Sequence, residues 1–337
     1  MFNEFIVNKQ NLINNIQTIK RDNLGSLVCA MVKANAYGVG LQNVVSTLND
    51  YVDFFGVTNL QEAKQTAKYT TKKVLIVGAL ENEVDNRFSY SCHCLEDVQK
   101  LAKTNQTVNI HLKINTGMNR FGFDDIKDYE KALKIIQKSN LVLEGLFTHF
   151  ATTDKNVEKQ MFIFDKYVIV AKQYNFKPIV HVDNSFVNET NNHHKDMVRI
   201  GFDLYNRKNQ KFTPVVEIKT QVVQINKVKK GELVGYNYRF VAPKKMDIAV
   251  VPVGYADGFS LNYVGMYLKV FGVKCRVLNI CMDCFMLDVT GLEIKKGDVI
   301  QILGTDISLD NYADFAKISA YEVMTRFAAI RATRKLI

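Results

Sequence analysis

The chain has 337 residues, a formal net charge of +10 and a pI near 9.1, and 47% of its residues are hydrophobic. This length suits one large domain or two ordinary ones, and this composition allows a fully buried core. No apolar stretch is long enough to cross a bilayer, and residues 1–10 lack the order of a signal peptide, so we expect a cytoplasmic protein. The lysines are spread out rather than clustered, which argues against a scaffold that binds nucleic acid.

The cysteines, six in all, give neither a disulfide framework nor a metal site by their spacing. Cys281 and Cys284 are close in sequence, but no second pair stands at the spacing of a zinc site. We therefore expect packed or exposed thiols, and no metal.

Up to about residue 206, short apolar runs alternate with longer stretches of helical spacing. Eight runs are predicted strands, at residues 27–33, 53–57, 73–77, 88–94, 108–115, 141–149, 178–183 and 197–201. Helical spacing is clearest at residues 60–69, 126–138 and 157–174. This repeated alternation is typical of a (β/α)8 TIM barrel, an α/β fold, with an open doubly wound sheet as the alternative.

After residue 206 the pattern becomes β-rich, with apolar runs at residues 215–228, 247–253, 267–273, 277–289 and 299–303. Helical spacing returns only at residues 311–315 and 320–327. We place the boundary near residues 207–212, so that residues 1–210 form the barrel and residues 211–337 form a mostly β C-terminal domain. Residues 1–10 can pair with that second domain.

Barrel enzymes carry their active sites at the C-terminal ends of the strands. In this chain those ends carry an amine, guanidinium groups, an imidazole and a hydroxyl, on Lys33, Arg120, His149, Ser185 and Arg199. Such a set suits an anionic ligand. Lys33 alone is either a strand-end lysine that reaches water or a desolvated amine that forms a Schiff base with a carbonyl. The small residues that follow it leave room for a flat ligand.

The stretch AMVKANAYGVG, at residues 30–40, resembles the pyridoxal-phosphate attachment signature of alanine racemases. The segments HLKINTGMNRFG, FTHFATTD, NS, VRIG, VPVGYADGF, CMD and YEVMT follow in that family's order. The resemblance therefore runs from about residue 5 to the end of the chain. The family's fold, a barrel followed by a β domain, agrees with the pattern described above.

The resemblance implies an enzyme that carries pyridoxal 5′-phosphate (PLP) and interconverts L-alanine and D-alanine, supplying D-alanine for peptidoglycan. It also implies a homodimer with shared active sites. Lys33 would bind PLP and serve as one catalytic base, and Tyr255 of the partner subunit would be the other. Arg199 would meet the pyridine nitrogen, and His149 would support that arginine.

The remaining roles also follow from the resemblance. The phosphate would be bound by Tyr37, Ser185, Tyr321 and the backbone at Gly201 and Phe202. The substrate carboxylate would be oriented by Arg120 and the backbone N–H of Met282. Supporting parts would fall to Lys113, which can be carbamylated in relatives, to Asp154 near the substrate entrance and to Asp283. No role is assigned to His93, His181, His193 or His194.

The chemistry makes these roles sensible. Racemisation removes a proton from one face of the amino acid and returns one to the other, so two bases on opposite faces suit it. PLP supplies the electron sink, while the protein supplies orientation and electrostatics. Arg199 is always charged and cannot take up the proton of a pyridine nitrogen. It should therefore weaken the sink and limit transamination.

Three places depart from the family pattern: Val39 replaces a frequent histidine, Leu278 and Asn279 replace Gly-Arg, and Cys284 replaces glutamine. The missing arginine concerns the width and charge of the substrate channel rather than the cofactor. The alternatives left open are a racemase of broader or different specificity such as serine, a related decarboxylase, and a non-catalytic PLP-binding homeostasis protein. The β domain with Tyr255 argues against the last.

Overall fold

The computed structural model describes residues 2–151, 156–182, 196–205, 211–236 and 240–337. Two predicted site residues, Asp154 and Ser185, lie outside these described residues. The chain divides into two compact units. The barrel unit contains Asn15–Ala36 and Leu41–Leu204, and the β unit contains Met1–Asn14, Tyr37–Gly40 and Tyr205–Ile337. The predicted boundary at residues 210 and 211 adjoins residues outside the described part and stays a prediction.

The strands of the described residues are β1 Glu4–Val7, β2 Leu27–Met31, β3 Phe54–Val57, β4 Lys73–Ile76, β5 Ser89–Cys92, β6 Val108–Lys113, β7 Leu141–Phe147, β8 Ile179–His181, β9 Met197–Ile200, β10 Val216–Gln221, β11 Gln224–Val228, β12 Leu233–Val234, β13 Phe240–Val241, β14 Met246–Val251, β15 Tyr267–Val270, β16 Val273–Ile280, β17 Phe285–Asp288, β18 Val299–Leu303 and β19 Thr333–Leu336. The helical segments are α1 Lys9–Asp22, α2 Lys33–Tyr37, α3 Leu41–Leu48, α4 Leu60–Thr66, α5 Leu95–Ala102, α6 Ile126–Gln137, α7 Asn156–Gln173, α8 Phe202–Tyr205, α9 Leu309–Ala316 and α10 Ala320–Phe327. None of these helices is both long and apolar enough to span a membrane.

Eight parallel strands form one sheet, in the order β8-β7-β6-β5-β4-β3-β2-β9. Its two edge strands meet at Asp196, whose N–H donates to the Val180 carbonyl (2.8 Å). The Asp196 carboxylate in turn accepts from the Val180 N–H (2.8 Å). The sheet is therefore a nearly closed barrel, and the predicted barrel followed by a mostly β domain is confirmed.

Helix α6 illustrates why the helical spacing of apolar residues in the sequence predicts a helix. Asp125 caps its first turn by accepting a hydrogen bond from the Lys127 N–H. Its buried residues recur three or four positions apart and form one apolar face: Tyr129, Ala132, Leu133 and Ile136. Helix α5 likewise buries Val98 and Leu101, three positions apart.

The β unit contains two further sheets, with strand orders β18-β10-β1-β19 and β11-β14-β17-β16-β15, and the hairpin β12-β13. Strand β1 pairs antiparallel with β10 and parallel with β19. A cluster of buried aromatic rings fills part of this unit, formed by Phe259, Tyr263, Phe285, Tyr312 and Phe327.

The predicted division of the run from residue 267 to residue 289 was wrong. Phe271 and Gly272 have φ of 47° and 83°, and two successive positive φ values make the tight turn that joins twisted antiparallel strands. The turn therefore falls at Phe271 and Gly272, and β16 begins at Val273 and continues to Ile280. Val270 and Val273 stand on either side of this turn, so the sequence reads as one apolar run that continues through it.

Candidate active site

The chain turns sharply directly after Lys33, which follows β2. Residues 34–37 all have positive φ, between 51° and 55°, although none of them is glycine. A left-handed turn of this kind costs roughly 1–2 kcal/mol per residue, so it persists only where its surroundings hold it. Strain of this sort concentrates at functional sites. The loop of small residues predicted from the sequence is thus a strained turn that directly follows Lys33 in the chain.

Two side chains hold this turn in place. The Glu62 carboxylate accepts from the N–H groups of Ala34 (2.7 Å) and Thr58 (2.8 Å). The Asn35 side-chain oxygen accepts from the Leu41 N–H (2.8 Å). Sequence analysis missed Glu62, because its contact with the turn joins positions 28 residues apart. Asn35 carried a signal, since asparagine tolerates left-handed backbone better than most residues.

Lys33, the predicted attachment point, is one of four cationic side chains whose charges influence one another in the barrel unit. Burial lowers the pKa of Lys33, and the charges of Arg120 and Arg199 lower it further, while Glu62 acts in the opposite direction. Burial and the charges of Arg120, Arg199 and Lys33 lower the pKa of Lys113 to about 7. Arg199 is itself only 5% exposed, whereas Arg120 is exposed in the loop after β6. Such a concentration of positive charge favours an anionic ligand and an unprotonated amine.

Arg199 is fixed by hydrogen bonds inside the barrel unit. Its Nη1 donates to His181 Nδ1 (2.6 Å), and its Nη2 donates to the Thr148 carbonyl (2.8 Å). His181 therefore contacts a predicted site residue, a contact that sequence analysis, which assigned His181 no role, did not anticipate. Burial, followed by the charge of Arg199, lowers the pKa of His149 to about 3, so this imidazole is neutral. The support of Arg199 by His149 stays a prediction.

Two predicted phosphate ligands, Tyr37 and Tyr321, lie together in the β unit. Their ring centroids are 6.2 Å apart. Arg334 holds the backbone directly after Tyr37, since its Nη1 donates to the Gly38 carbonyl (2.9 Å). Gly38 has φ of 87°, and a Cβ there would lie 2.7 Å from the Ala328 Cβ, so no larger residue fits. Two other predicted phosphate-binding residues, Gly201 and Phe202, directly follow β9.

Tyr255 projects from the loop after β14 and is 45% exposed. Its N–H donates to the Cys281 carbonyl (3.1 Å), and the N–H of the next residue donates to the Met282 carbonyl (3.1 Å). A Cβ on Gly254 would lie 2.2 Å from the Met282 carbonyl oxygen, which explains the glycine. The predicted residues Tyr255 and Met282 therefore stand on two loops that are joined backbone to backbone.

Arg331 ties these two loops together. Its Nε and Nη2 donate to the two oxygens of Asp257 (2.8 Å each), and its Nη1 donates to Asp283 Oδ1 (2.8 Å). Burial opposes ionisation of Asp257, but hydrogen bonds from Arg331 and the Gly254 N–H outweigh it and lower its pKa. Asp283, a predicted supporting residue, thus contacts the arginine that holds the Tyr255 loop. Sequence analysis missed Asp257 and Arg331.

Asn279 stands where the family usually has arginine, and it is only 3% exposed. Its Nδ2 donates to the carbonyls of Val234 (3.2 Å) and Tyr236 (3.2 Å). A Cβ on Gly235 would lie 2.5 Å from the Asn279 side chain, so this glycine makes room for it. Asn279 is therefore a buried amide that satisfies two backbone carbonyls within the β unit.

Fold and site together define a class of protein: a barrel that presents a desolvated lysine among cations, followed by a β unit that presents an exposed tyrosine. The profile "Alanine racemase, N-terminal domain" matches residues 7–208, and "Alanine racemase, C-terminal domain" matches residues 215–336. The chain belongs to the alanine racemase family. The predicted family and the predicted enzyme class, an isomerase, are confirmed.

Curated relatives agree with this assignment. The chain is 33% identical to the alanine racemase of Fusobacterium nucleatum over 343 residues, covering 95% of each chain. It is 31% identical to the alanine racemase of Borreliella burgdorferi over 350 residues, covering 95% of this chain and 93% of that one. These relatives do not favour a serine-specific racemase or a homeostasis protein.

Solved structures agree as well. The alanine racemase of Clostridium difficile 630 matches with a TM-score of 0.92 at 26% identity, covering 100% of this chain and 96% of that one. The alanine racemase of Bacillus anthracis with bound L-Ala-P gives a TM-score of 0.93 at 26% identity, with coverage of 100% and 95%. The enzyme of Bartonella henselae, with covalently bound pyridoxal phosphate, gives 0.91 at 21% identity over 100% of both chains. This last likeness shows the fold alone.

Proposed function

We propose that this chain is a PLP-dependent racemase that interconverts L-alanine and D-alanine. The observation that carries the proposal is the half-buried amine of Lys33, with its lowered pKa, next to the charges of Arg120 and Arg199. An unprotonated amine is the form that attacks a carbonyl, and the surrounding cations suit a phosphate and a substrate carboxylate. Family membership supports alanine as the amino acid.

The residues present fit PLP. Lys33 would form the covalent bond to its aldehyde carbon, and Arg199 would donate to its pyridine nitrogen, with His149 in support. Its phosphate would be bound by Tyr37, Ser185, Tyr321 and the backbone N–H groups of Gly201 and Phe202. When bound, PLP supplies the electron sink that acidifies the α-proton of the amino acid.

The protein would handle the protons and hold the substrate. The Lys33 amine and Tyr255 of the partner subunit would exchange protons with opposite faces of the α-carbon. Arg120 and the Met282 N–H would bind the substrate carboxylate and so fix which bond faces each base. Supporting positions would be taken by Lys113, Asp154 and Asp283.

A homodimer with shared sites forms part of this proposal. Tyr255 and Met282 are 45% and 52% exposed in the single chain, as residues that complete a neighbouring subunit's site would be. The cysteines of the described residues are free thiols, which suits the reducing cytoplasm. The D-alanine produced there would serve peptidoglycan synthesis.

A panel assay tests the substrate. The purified protein is incubated with PLP and each of several L-amino acids, and the D-enantiomer is measured by chiral chromatography. We expect D-alanine to form fastest, with L-serine a slower substrate. Formation of D-serine but not D-alanine would contradict the proposal. Borohydride reduction followed by mass spectrometry locates the cofactor, and an adduct on any residue other than Lys33 would refute the assignment.

A further inference from the structure

A line of buried hydrogen bonds starts at Arg199, and the proposed function accounts only for that first residue. Arg199 Nη1 donates to His181 Nδ1 (2.6 Å). His181 Nε2 lies 2.8 Å from His111 Nδ1, and His111 Nε2 lies 3.0 Å from Glu144 Oε2. We name His181, His111 and Glu144 the histidine chain. Both imidazoles are 0% exposed, and the Glu144 side chain is 6% exposed.

The two ends fix the direction of every hydrogen bond in the histidine chain. A guanidinium only donates, so His181 Nδ1 must accept and the His181 proton sits on Nε2. That N–H donates to His111 Nδ1, so His111 also carries its proton on Nε2. It then donates to the Glu144 carboxylate, which only accepts. Burial lowers the pKa of both imidazoles, which keeps them neutral.

Glu144 is held as a carboxylate away from the predicted cofactor. Lys73 and Ser89 are the first residues of β4 and β5, and both donate to it. Burial opposes ionisation of Glu144, but hydrogen bonds from His111, Lys73 and Ser89 outweigh it and lower its pKa to about 2. The acceptor at this end of the histidine chain therefore stays charged at every ordinary pH.

The barrel is built to hold the histidine chain. A Cβ on Gly145 would lie 2.0 Å from His111 Nδ1, and the β6–β7 register shifts directly before His111. A glycine inside a strand weakens the strand, so its presence here marks a close approach of another group. The Phe147 ring stacks on the His181 ring at 4.8 Å and also lies 5.1 Å from Arg199 Cζ.

We propose that Glu144 is a positioning residue that acts through His111 and His181 on Arg199, so that the guanidinium presents a fixed edge to the cofactor. The carboxylate polarises both imidazoles and strengthens the acceptor at His181 Nδ1. A carboxylate directly beside Arg199 would offset its charge, whereas a carboxylate three hydrogen bonds away orients the group and leaves the charge at the ligand. The inference rests on the proposed function for the identity of that ligand.

Nitrogen NMR tests the proton positions in the PLP-loaded protein, because the chain has only six histidines. With histidine labelled in both ring nitrogens, we expect His111 and His181 to show a bare Nδ1 and a protonated Nε2, unchanged from pH 6 to pH 9. A proton on Nδ1 of either ring, or a charged ring in this range, would overturn the proposal. This measurement needs no variant beyond those used for assignment.

A matched pair of variants tests the function of the carboxylate. Glu144→Gln removes the charge and keeps the shape, whereas Lys73→Met removes an exposed partner and keeps the carboxylate. We expect Glu144→Gln to shift the His181 Nε2–H signal upfield and to weaken PLP binding by about tenfold. Lys73→Met should change PLP affinity by less than about twofold, as expected for an exposed pair.

The outcomes separate this inference from the proposed function. If the His181 signal and the PLP affinity of Glu144→Gln match those of the unaltered protein, Glu144 does not position Arg199, whatever the enzyme does. If the variant does not fold, Ser89→Ala weakens the same carboxylate, and an unmoved His181 signal there would also overturn the inference. If the proton positions hold but no PLP binds, the proposed function fails and the histidine chain needs another ligand.

Discussion

The barrel unit and the β unit prepare their predicted site residues in opposite ways. In the barrel unit Lys113 and Arg199 are themselves buried, and burial together with neighbouring charge lowers the pKa of Lys33 and Lys113. In the β unit the predicted residues Tyr255 and Met282 are about half exposed, whereas Asp257, which holds the Tyr255 loop, is fully buried. The barrel unit therefore tunes chemical reactivity, whereas the β unit supplies position.

This difference predicts which property each substitution changes. Substitution inside the barrel unit should alter protonation and cofactor binding, because the surroundings of the group set its reactivity. Substitution of the buried residues that hold the loops of the β unit should alter stability and geometry, because these residues support the reactive group and do not themselves react. The predictions below test that comparison, in order of decreasing effect.

Lys33→Ala should abolish racemisation, with a fall of about 10⁴-fold or more, because it removes both the covalent attachment and one base. The visible absorbance of the bound cofactor should change at the same time. Chiral chromatography and an absorbance spectrum measure the two effects. Lys72→Ala, at an exposed lysine of the barrel unit, is the control and should behave as the unaltered enzyme. Substantial activity in Lys33→Ala would remove this amine from the mechanism.

Tyr255→Phe should lower turnover by about 10²–10³-fold in at least one direction, since proton transfer by a positioned group contributes this much. Cofactor absorbance should stay the same, because the proposed part of Tyr255 is proton transfer to the substrate and not binding of PLP. Turnover measured from each enantiomer checks the effect. The control Tyr267→Phe alters a tyrosine that is 54% exposed and should change neither rate.

Mixed dimers sharpen this test. A dimer of one Lys33→Ala subunit and one Tyr255→Phe subunit keeps one intact site if the sites are shared. An equal mixture that exchanges subunits freely should then recover about a quarter of the activity, because half of the dimers are mixed and each has one working site. No recovery despite demonstrated exchange would mean that both groups come from the same subunit.

Asp257→Asn should destabilise the protein by about 2 kcal/mol at pH 7, because hydrogen bonds to a charged acceptor are lost in a buried place. The folded pKa of Asp257 is depressed, so its contribution is present above the ordinary value of about 3.9 and is lost as pH falls below it. The gap between variant and wild type should therefore narrow below about pH 4, which urea unfolding at several pH values measures.

The control for this variant is Asp306→Asn, at a surface carboxylate that pairs with Lys269 at 3.4 Å and is 46% exposed. We expect it to leave stability unchanged, because exposed pairs contribute little. A loss of stability in Asp306→Asn equal to that in Asp257→Asn would show that the burial of Asp257 does not strengthen its contribution to stability.

The fold was predictable because burial leaves a local pattern. Each barrel strand is a short apolar run, and each was placed to within about two residues at its C-terminal end, the least certain part of any such prediction. Strand β6 was expected at residues 108–115 and is observed at Val108–Lys113. The polar residues at strand ends belong to the site loops, which is why the predicted runs were slightly too long.

The supporting contacts of the site were not predictable in the same way. Glu62 holds the turn after Lys33 across 28 residues, and Asp257 pairs with Arg331 across 74 residues. No local periodicity joins such positions, so an acidic residue in a helix or loop looks like any solvated one. His181 was dismissed for the same reason, since its partner Arg199 lies on another strand.

Lys113→Met acts on stability, and it tests whether the positive charge of this buried lysine opposes folding of the barrel unit. In the protein without PLP, in buffer free of carbonate, we expect a higher unfolding temperature for the variant at pH 6. The control Lys127→Met alters an exposed lysine and should leave the unfolding temperature unchanged. Differential scanning calorimetry between pH 6 and pH 10 measures both.

The sign follows from the protons bound in each state. The pKa of Lys113 is about 7 in the folded protein, against about 10.4 in the unfolded chain. Between these values the unfolded chain holds a proton that the folded protein lacks, so wild-type stability rises with pH, whereas methionine removes that rise. The advantage of Lys113→Met should therefore be largest near pH 6 and fade towards pH 10. An advantage that does not vary with pH would show that packing, rather than charge among the buried cations, opposes this lysine.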